Sequence, residues 1–567
     1  MNRSGYFSFK VPAYKILLIL LCALALCITG LSVFYLCHSY DELARWYLGL
    51  NGDIAFLDVW QTDFFNNHTY TIGRQIAMVS IPGCLLLGIL VAREFRKPVL
   101  PVQVKVPWTD VLISGLLMGI AAMAGTWSFR LTEHGADEMY SAVYCAGAHP
   151  FQTVSYYMDT NNHIFFNILN NLIFHPAADK LFTGRILSLI TYLLLTVTLY
   201  LWLKDLLKNR LVAIGITLAL IFQFPVLGFA VQNRGYEIYL YCQWLSFIFL
   251  FKYLQTPSRR YLLMHLAANV IGLYTIPTYL YFLLTVILTG GIYQLYTRRI
   301  DLRFWKYQSI SGIFVFLLYV PVFLFSGIGS VTSNKHVKPS SWFVLDITGN
   351  FRSFIHECFW DYEPSRLAFY SCLCLLPFLV LALRKDRQSK LLLIFYVAIW
   401  PGYMLVSIAM KRYGFMRNIL AQENMMLFIV LVSLYWCCQS VAGAIKNKVL
   451  ATPVFGLLTG LLLAHFIRFF PSHIDYSLYL ISTREHNMTV KNELKAFPRS
   501  ASIVCPNFAF VWYYFGTKEP LHMVTHAKGD EDFIILHHRD TYAMPAEYKL
   551  YKLVSFYKIY KNSHSRL

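Results

Sequence analysis

The chain has 567 residues, 57% of them hydrophobic and 14% charged, with a mean hydropathy of +0.49 and a net charge of +19. A soluble chain of this length needs far more charge to cover its surface, so the composition excludes a soluble globular protein and defines an integral membrane protein. The positive balance does not mark a nucleic-acid binder either, because it collects on short segments between apolar runs.

Apolar runs long enough to span a bilayer as helices fall at 16–37, 76–92, 109–129, 183–203, 211–230, 236–254, 261–275, 277–296, 307–328, 367–383, 391–410, 424–443 and 451–469. This predicts an all-α polytopic protein with about thirteen transmembrane helices, in which Pro277 interrupts the pair at 261–296. The first run is long for a signal sequence and no small-residue cleavage site follows it, so a retained helix is expected. With the N-terminus in the cytoplasm, the short basic segments around Lys10, Arg96, Lys208, Arg260, Arg299, Arg387 and Lys446 all face inside. The longer polar stretches, 38–75, 130–182, 329–366 and the tail, then face outside, and chemistry is expected there. Three regions follow: an N-terminal transmembrane hairpin (1–93), a transmembrane domain (94–470) and a soluble extracytoplasmic α/β domain (471–567).

In the tail, helices are expected at 488–497 and 508–515, and strands at 502–505, 533–536 and 553–560. The tail has no glycine-rich phosphate loop and no nucleophile elbow, so it reads as a lid or acceptor-docking unit. Most cysteines sit within spans as small hydrophobes; Cys145, Cys358 and Cys505 fall outside them, and there is no CxxC.

The most informative stretch begins past the third span, at Glu133-His-Gly-Ala-Asp137-Glu138-Met-Tyr140-Ser-Ala-Val-Tyr144. Gly135 breaks the span, and Asp137 can cap the short helix that follows. Asp137, Tyr140 and Tyr144 share one face. A carboxylate at the membrane boundary among aromatic rings suits a general base, or equally a plain helix cap. Next come Asp159 and a stripe of His163, Asn167 and Asn170 on an otherwise apolar helix. Facing lipid it would be costly, so it faces protein or a wet cavity. Arg185, Arg234 and Arg417 then lie at outer helix ends, where positive-inside bias depletes them. Arginine is the natural partner of phosphate, and headgroup contact is the alternative. His134, His149, His163 and His175 lie in one loop with no metal-ligand spacing, so no metal site is expected.

At these residues the chain resembles the GT-C superfamily of polyprenyl-phosphate-sugar glycosyltransferases, which includes protein O-mannosyltransferases and lipid A aminoarabinose transferases. Gly135-Ala-Asp137-Glu138-Met-Tyr140 resembles the acidic motif of their first large outer loop. Asn161-Asn162-His163 through Leu169 resembles the helix start that follows, without its prolines. Gly184-Arg185-Ile-Leu-Ser-Leu, Asn233-Arg234-Gly235-Tyr236 and Met416-Arg417-Asn418-Ile419-Leu420 resemble three later segments. The resemblance spans residues 109 to 470. It implies an inverting sugar transfer from a polyprenyl-phosphate carrier to a hydroxyl of a glycan, lipid or protein acceptor, at the outer face of a bacterial inner membrane. Asp137 would be the base and Glu138 its alternate. Arg185, Arg234 and Arg417 would hold the phosphate, and Tyr140, Asp159, His163 and Asn167 would contact substrate. No cofactor is implied, although some related oligosaccharyltransferases use a divalent cation. The competing reading is a transporter or flippase for a lipid-linked sugar. It calls for broken helices and paired repeats. Pro277 and Pro321 are present, but no repeat is found.

Overall fold

The computed structural model describes residues 6–11, 13–50, 60–95, 102–132, 136–157, 162–175, 178–332, 352–361, 363–410, 419–476, 501–504, 523–524, 529–537, 543–554 and 557–565. Helices dominate. Among the described residues, eight are long and apolar enough to cross a membrane. They are formed by α3 (Asn67–Phe95), α4 (Trp108–Leu131), α8 (Lys180–Leu207), α13 (Leu280–Thr297), α14 (Leu302–Phe325), α16 (Leu367–Leu383), α18 (Leu420–Ala444) and α19 (Ala451–Tyr476), with α13 and α16 each extended by the turn before it, from Pro277 and Pro364. The other expected spans are also helical: α1 (Ala13–Cys37), α11 (Tyr236–Gln255), α12 (Arg259–Thr275) and α17 (Arg387–Met410). Pro277 opens the turn between α12 and α13, as its missing N–H requires.

One expected span is broken. Residues 211–230 form two helices, α9 (Arg210–Ile221) and α10 (Phe224–Phe229), with Pro225 in the first turn of the second. The break is buried and bonded: Gln223 donates to the carbonyl of Cys358 at 3.0 Å and accepts from Asn424 at 2.6 Å. Polar backbone at membrane depth survives when protein satisfies it.

Shorter helices complete the bundle: α2 (Tyr40–Leu48), α5 (Ala136–Tyr140), α6 (Pro150–Ser155), α7 (Ile164–Ile173) and α15 (352–359). A π-type turn follows α5, where the amide of Gly147 reaches the carbonyl of Ala142 at 2.8 Å. The N-terminal hairpin is bound to α14 by aromatic packing. Phe325 stacks on Tyr47 at 5.0 Å and on Phe65 at 5.6 Å, and the Trp60 indole donates to its carbonyl at 2.7 Å.

Two strands not expected from the sequence, β1 (Tyr6–Val11) and β2 (Val102–Pro107), pair antiparallel, with Tyr6 opposite Pro107. The tail holds a five-stranded sheet of order β4-β3-β5-β7-β6, where β3 is Ile503–Val504, β4 Met523–Val524, β5 Phe533–His537, β6 Tyr548–Val554 and β7 Tyr557–Asn562. The single strand expected at 553–560 is instead two antiparallel strands, β6 and β7. The helices expected at 488–497 and 508–515 lie outside the described residues. Cys145 and Cys358 are free and buried.

At the end of the bundle opposite Asp137, Asp110 is fully buried and receives Lys204 at 2.6 Å, Arg210 at 2.8 Å and the Tyr200 hydroxyl at 2.9 Å. Removing a buried partner strands charge in a poorly solvating place. Asp110→Ala is expected to cost about 3 kcal/mol, read as a lowered thermal midpoint of the purified protein. Asp386→Ala, whose partner Arg384 is solvent-accessible, should cost under about 1 kcal/mol.

Candidate active site

The site is built where α4, α5, α7, α8 and the turn before α11 meet. Its centre is a buried ion pair between residues 47 apart in sequence. Arg185, one turn into α8, donates to both oxygens of Glu138, from Nε at 2.9 Å and from Nη2 at 2.8 Å. Both side chains are all but inaccessible, and the guanidinium also lies 5.2 Å from the Phe129 ring. The amide of Asn233 donates to Glu138 Oε1 at 2.6 Å, and the Asn233 side chain donates to the Glu138 carbonyl at 3.0 Å. The pair therefore ties α5 to α8 and to the 230–235 turn.

Two glycines make that approach possible. A Cβ at Gly184 would stand 1.6 Å from Asn233 Oδ1, and one at Gly235 would stand 2.9 Å from the His163 Cβ. Ser188, one turn beyond Gly184, fastens the turn from beneath by donating to the carbonyl of Gln232 at 2.6 Å. Behind it, Asn170 accepts from Thr183 at 2.6 Å and donates to the carbonyl of Lys180 at 2.7 Å. The Lys180 ammonium returns to the carbonyls of Asn170, Asn171 and Phe174 at the end of α7.

Asp137 differs from its neighbour. Its side chain is 37% exposed, against 2% for Glu138, so it is the carboxylate an incoming molecule can meet. Arg234 Nη1 lies 3.1 Å from it. Arg234 is buried, and its guanidinium lies 5.5 Å from the Tyr236 ring. Burial is the largest single influence and opposes the charge, but Asp137, Tyr236 and Glu138 together outweigh it and hold the Arg234 pKa above its ordinary value.

His163 completes the group. Its Nδ1 accepts the Gly235 amide hydrogen at 2.7 Å, which in the neutral ring leaves the proton on Nε2. That Nε2 faces Arg234 Nη2 at 3.4 Å. The two nitrogens thus lie side by side next to the Asp137–Arg234 pair, and an anionic oxygen within reach of both would accept from each N–H.

Of the residues singled out by sequence, Asp137, Glu138, Arg185, Arg234 and His163 meet here. Asn167 is buried beneath them, accepting from Ser141 at 3.2 Å and donating to Asn162 at 2.9 Å. Tyr140 points its hydroxyl at Tyr156, 3.4 Å away. Asp159 and Arg417 lie outside the described residues. His149 caps α6 through its Nδ1. Among the described residues no cluster of His, Cys, Asp or Glu is placed to hold a metal ion. Asn233, Ser188 and Lys180 were not singled out by the sequence. Each acts through backbone groups distant in sequence, which leaves no local signal.

This arrangement sits on a fold already known. The chain has an ArnT-like fold over most of its length. It is similar to ArnT from Cupriavidus metallidurans, in a crystal structure bound to undecaprenyl phosphate, with a TM-score of 0.51 and 11% identity over 79% of this chain and 98% of that one. A second structure of that ArnT, in the apo state, aligns with a TM-score of 0.40 and 14% identity over 73% of this chain and 85% of that one. No protein-family model and no curated protein sequence matches the chain.

The buried pair makes a stability prediction. Glu138→Ala leaves a buried guanidinium uncompensated and is expected to cost about 3–5 kcal/mol, seen as lower abundance and thermal midpoint. Glu138→Ala/Arg185→Met should recover much of that loss, and a double-mutant cycle on thermal stability measures the recovery.

Proposed function

We propose that this protein is an inverting glycosyltransferase that moves a sugar from a polyprenyl-phosphate carrier to a hydroxyl of an envelope glycan, lipid or protein. The observation that supports this reading is the Arg234–Asp137 pair, with His163 Nε2 3.4 Å from Arg234 beside an accessible carboxylate, on a fold similar to that of ArnT, whose structure is bound to undecaprenyl phosphate. The proposed protein has about thirteen spans, a cytoplasmic N-terminus and the site at the outer face of a bacterial inner membrane. Nearly all of its excess positive charge then lies inside.

In the proposed reaction the carrier phosphate lies against Arg234 and His163, and Arg417 joins them. Asp137 takes the proton of the acceptor hydroxyl. The oxygen attacks the anomeric carbon from the face opposite the phosphate, the C1–O bond to phosphate breaks, and the configuration inverts. The phosphate leaves with its negative charge held by donors already in place, so little reorganisation is needed. Glu138 and Arg185 are assigned to positioning: each uses its charge on the other, and together they hold the turn that presents Arg234. Tyr140 and Asp159 are assigned to the sugar side, and Asn167, bonded to Ser141 and Asn162, to support beneath it.

A transporter of lipid-linked sugars is the second reading, and the broken helix at Phe222-Gln223 is the feature that favours it. Membranes containing the protein, supplied with radiolabelled polyprenyl-phosphate sugars, separate the two. Transfer places label in a product no longer attached to the carrier, whereas transport leaves it on the carrier. Asp137→Asn is expected to lower kcat by about 10²–10⁴-fold when compared at matched amounts of folded protein. Arg234→Lys keeps the charge but loses the planar fork, and should chiefly raise KM for the donor. Equal transfer by wild type and Asp137→Asn would remove Asp137 as the base.

A further inference from the structure

The helix α15 closes the side of the bundle where α9 breaks into α10. The carbonyl of Cys358 accepts from Gln223, and its thiol faces the carbonyl of Glu423 on α18 at 3.7 Å. Trp360, just past α15, packs on Phe224 at 4.2 Å. From α10 the chain runs directly into the 230–235 turn. In the midst of these contacts the carboxyl of Glu357 is hydrogen-bonded to the carboxyl of Glu423. Glu423 is 1% exposed, and its Oε1 has no hydrogen-bond partner.

Among the described residues, the neighbours of this pair supply no balancing cation. On α15, Arg352 is exposed and His356 is bonded through Nδ1 to the carbonyl of Asp361. Asp361 is spent on Arg366 at 2.7 Å and Tyr370 at 2.5 Å. From α16 and α17 come Cys374 and Tyr396, the latter donating to the Cys374 carbonyl. Among the described residues neither glutamate has a lysine or arginine partner. Two touching carboxyls without a cation hold together only while a proton lies between them.

We propose that Glu357 and Glu423 form a proton-dependent latch, in which a shared proton keeps α15 docked on α18 and α10 and so holds the turn that presents Arg234. The latch stands on its own contacts; its effect on catalysis rests on the function proposed above. Burial pushes the Glu357 carboxyl up to about 7, against an opposing pull from its hydrogen bond with Glu423. The shift is upward, so the docked state binds the extra proton. Docking is at full strength below the ordinary carboxyl range, weakens by up to about tenfold per pH unit as pH rises towards 7, and is flat above that. Glu357→Gln supplies a permanent neutral donor and removes this dependence.

Cys358 is a built-in reporter, since it is free and fully buried while α15 is docked. Maleimide labelling of the intact protein, resolved by peptide mass spectrometry, is compared for wild type and Glu357→Gln at each pH. The intrinsic pH response of the thiol then cancels in the ratio. The wild-type to variant ratio is expected to be at least about tenfold higher at pH 8 than at pH 5.5. Glu423→Gln should protect Cys358 in the same way, which separates loss of the latch from a local folding defect. A ratio equal at both pH values overturns the latch. In the transfer assay, wild type should show a donor KM that rises with pH while Glu357→Gln shows a flat one. Identical KM profiles, with labelling that responds, overturn the link to Arg234. Absence of transfer in every form counts against the proposed function, and the labelling ratio still decides the latch.

Discussion

Everything at the Asp137 end of the bundle hangs on one buried ion pair. Glu138 and Arg185 bury two full charges where water cannot reach them, and that is tolerable only because each carboxylate oxygen meets a guanidinium nitrogen and the Asn233 amide adds a third donor. The geometry leaves no slack. It fixes the distance between α5 and α8 and pulls the 230–235 turn down onto the pair. It also demands a glycine at 184, where Asn233 occupies the space of a side chain. The buried Arg234 and the accessible Asp137, each next to a member of this network, are thereby set 3.1 Å apart.

A division of labour follows from burial alone. Of the two adjacent carboxylates, the buried one is spent on Arg185 and the exposed one is reachable from outside. Of the two arginines, Arg185 has its fork filled by a carboxylate, while Arg234 lies between Asp137 and the His163 ring. The membrane sets the same rule for the rest of the bundle. Asp110 and Gln223 in the broken helix are satisfied by protein, so these polar side chains also act as fasteners between helices.

The spans were legible because hydrophobicity over about twenty residues is a strong signal. The acidic turn and the outer arginines were legible because charge at a membrane boundary stands out. Which carboxylate pairs with which arginine was not, since Glu138 and Arg185 are brought together only by packing of three helices. Residues 211–230 are apolar throughout, so periodicity could not reveal the break that Pro225 and Gln223 create. The β1–β2 pairing joins segments nearly a hundred residues apart, beyond any local pattern. The β6–β7 hairpin was merged into one strand because both arms carry the same mix of Lys, Tyr and Leu or Ile. Asp159 and Arg417 fall outside the described residues, so their place beside Asp137 is part of the proposal.

The most direct test is a cryo-electron microscopy structure of the protein with undecaprenyl phosphate. The account predicts the phosphate between Arg234 and His163, within hydrogen-bond reach of both, with the Glu138–Arg185 pair still closed beneath it. A phosphate held by Arg185, with Glu138 released, would contradict the division between positioning pair and reacting pair on which the account rests.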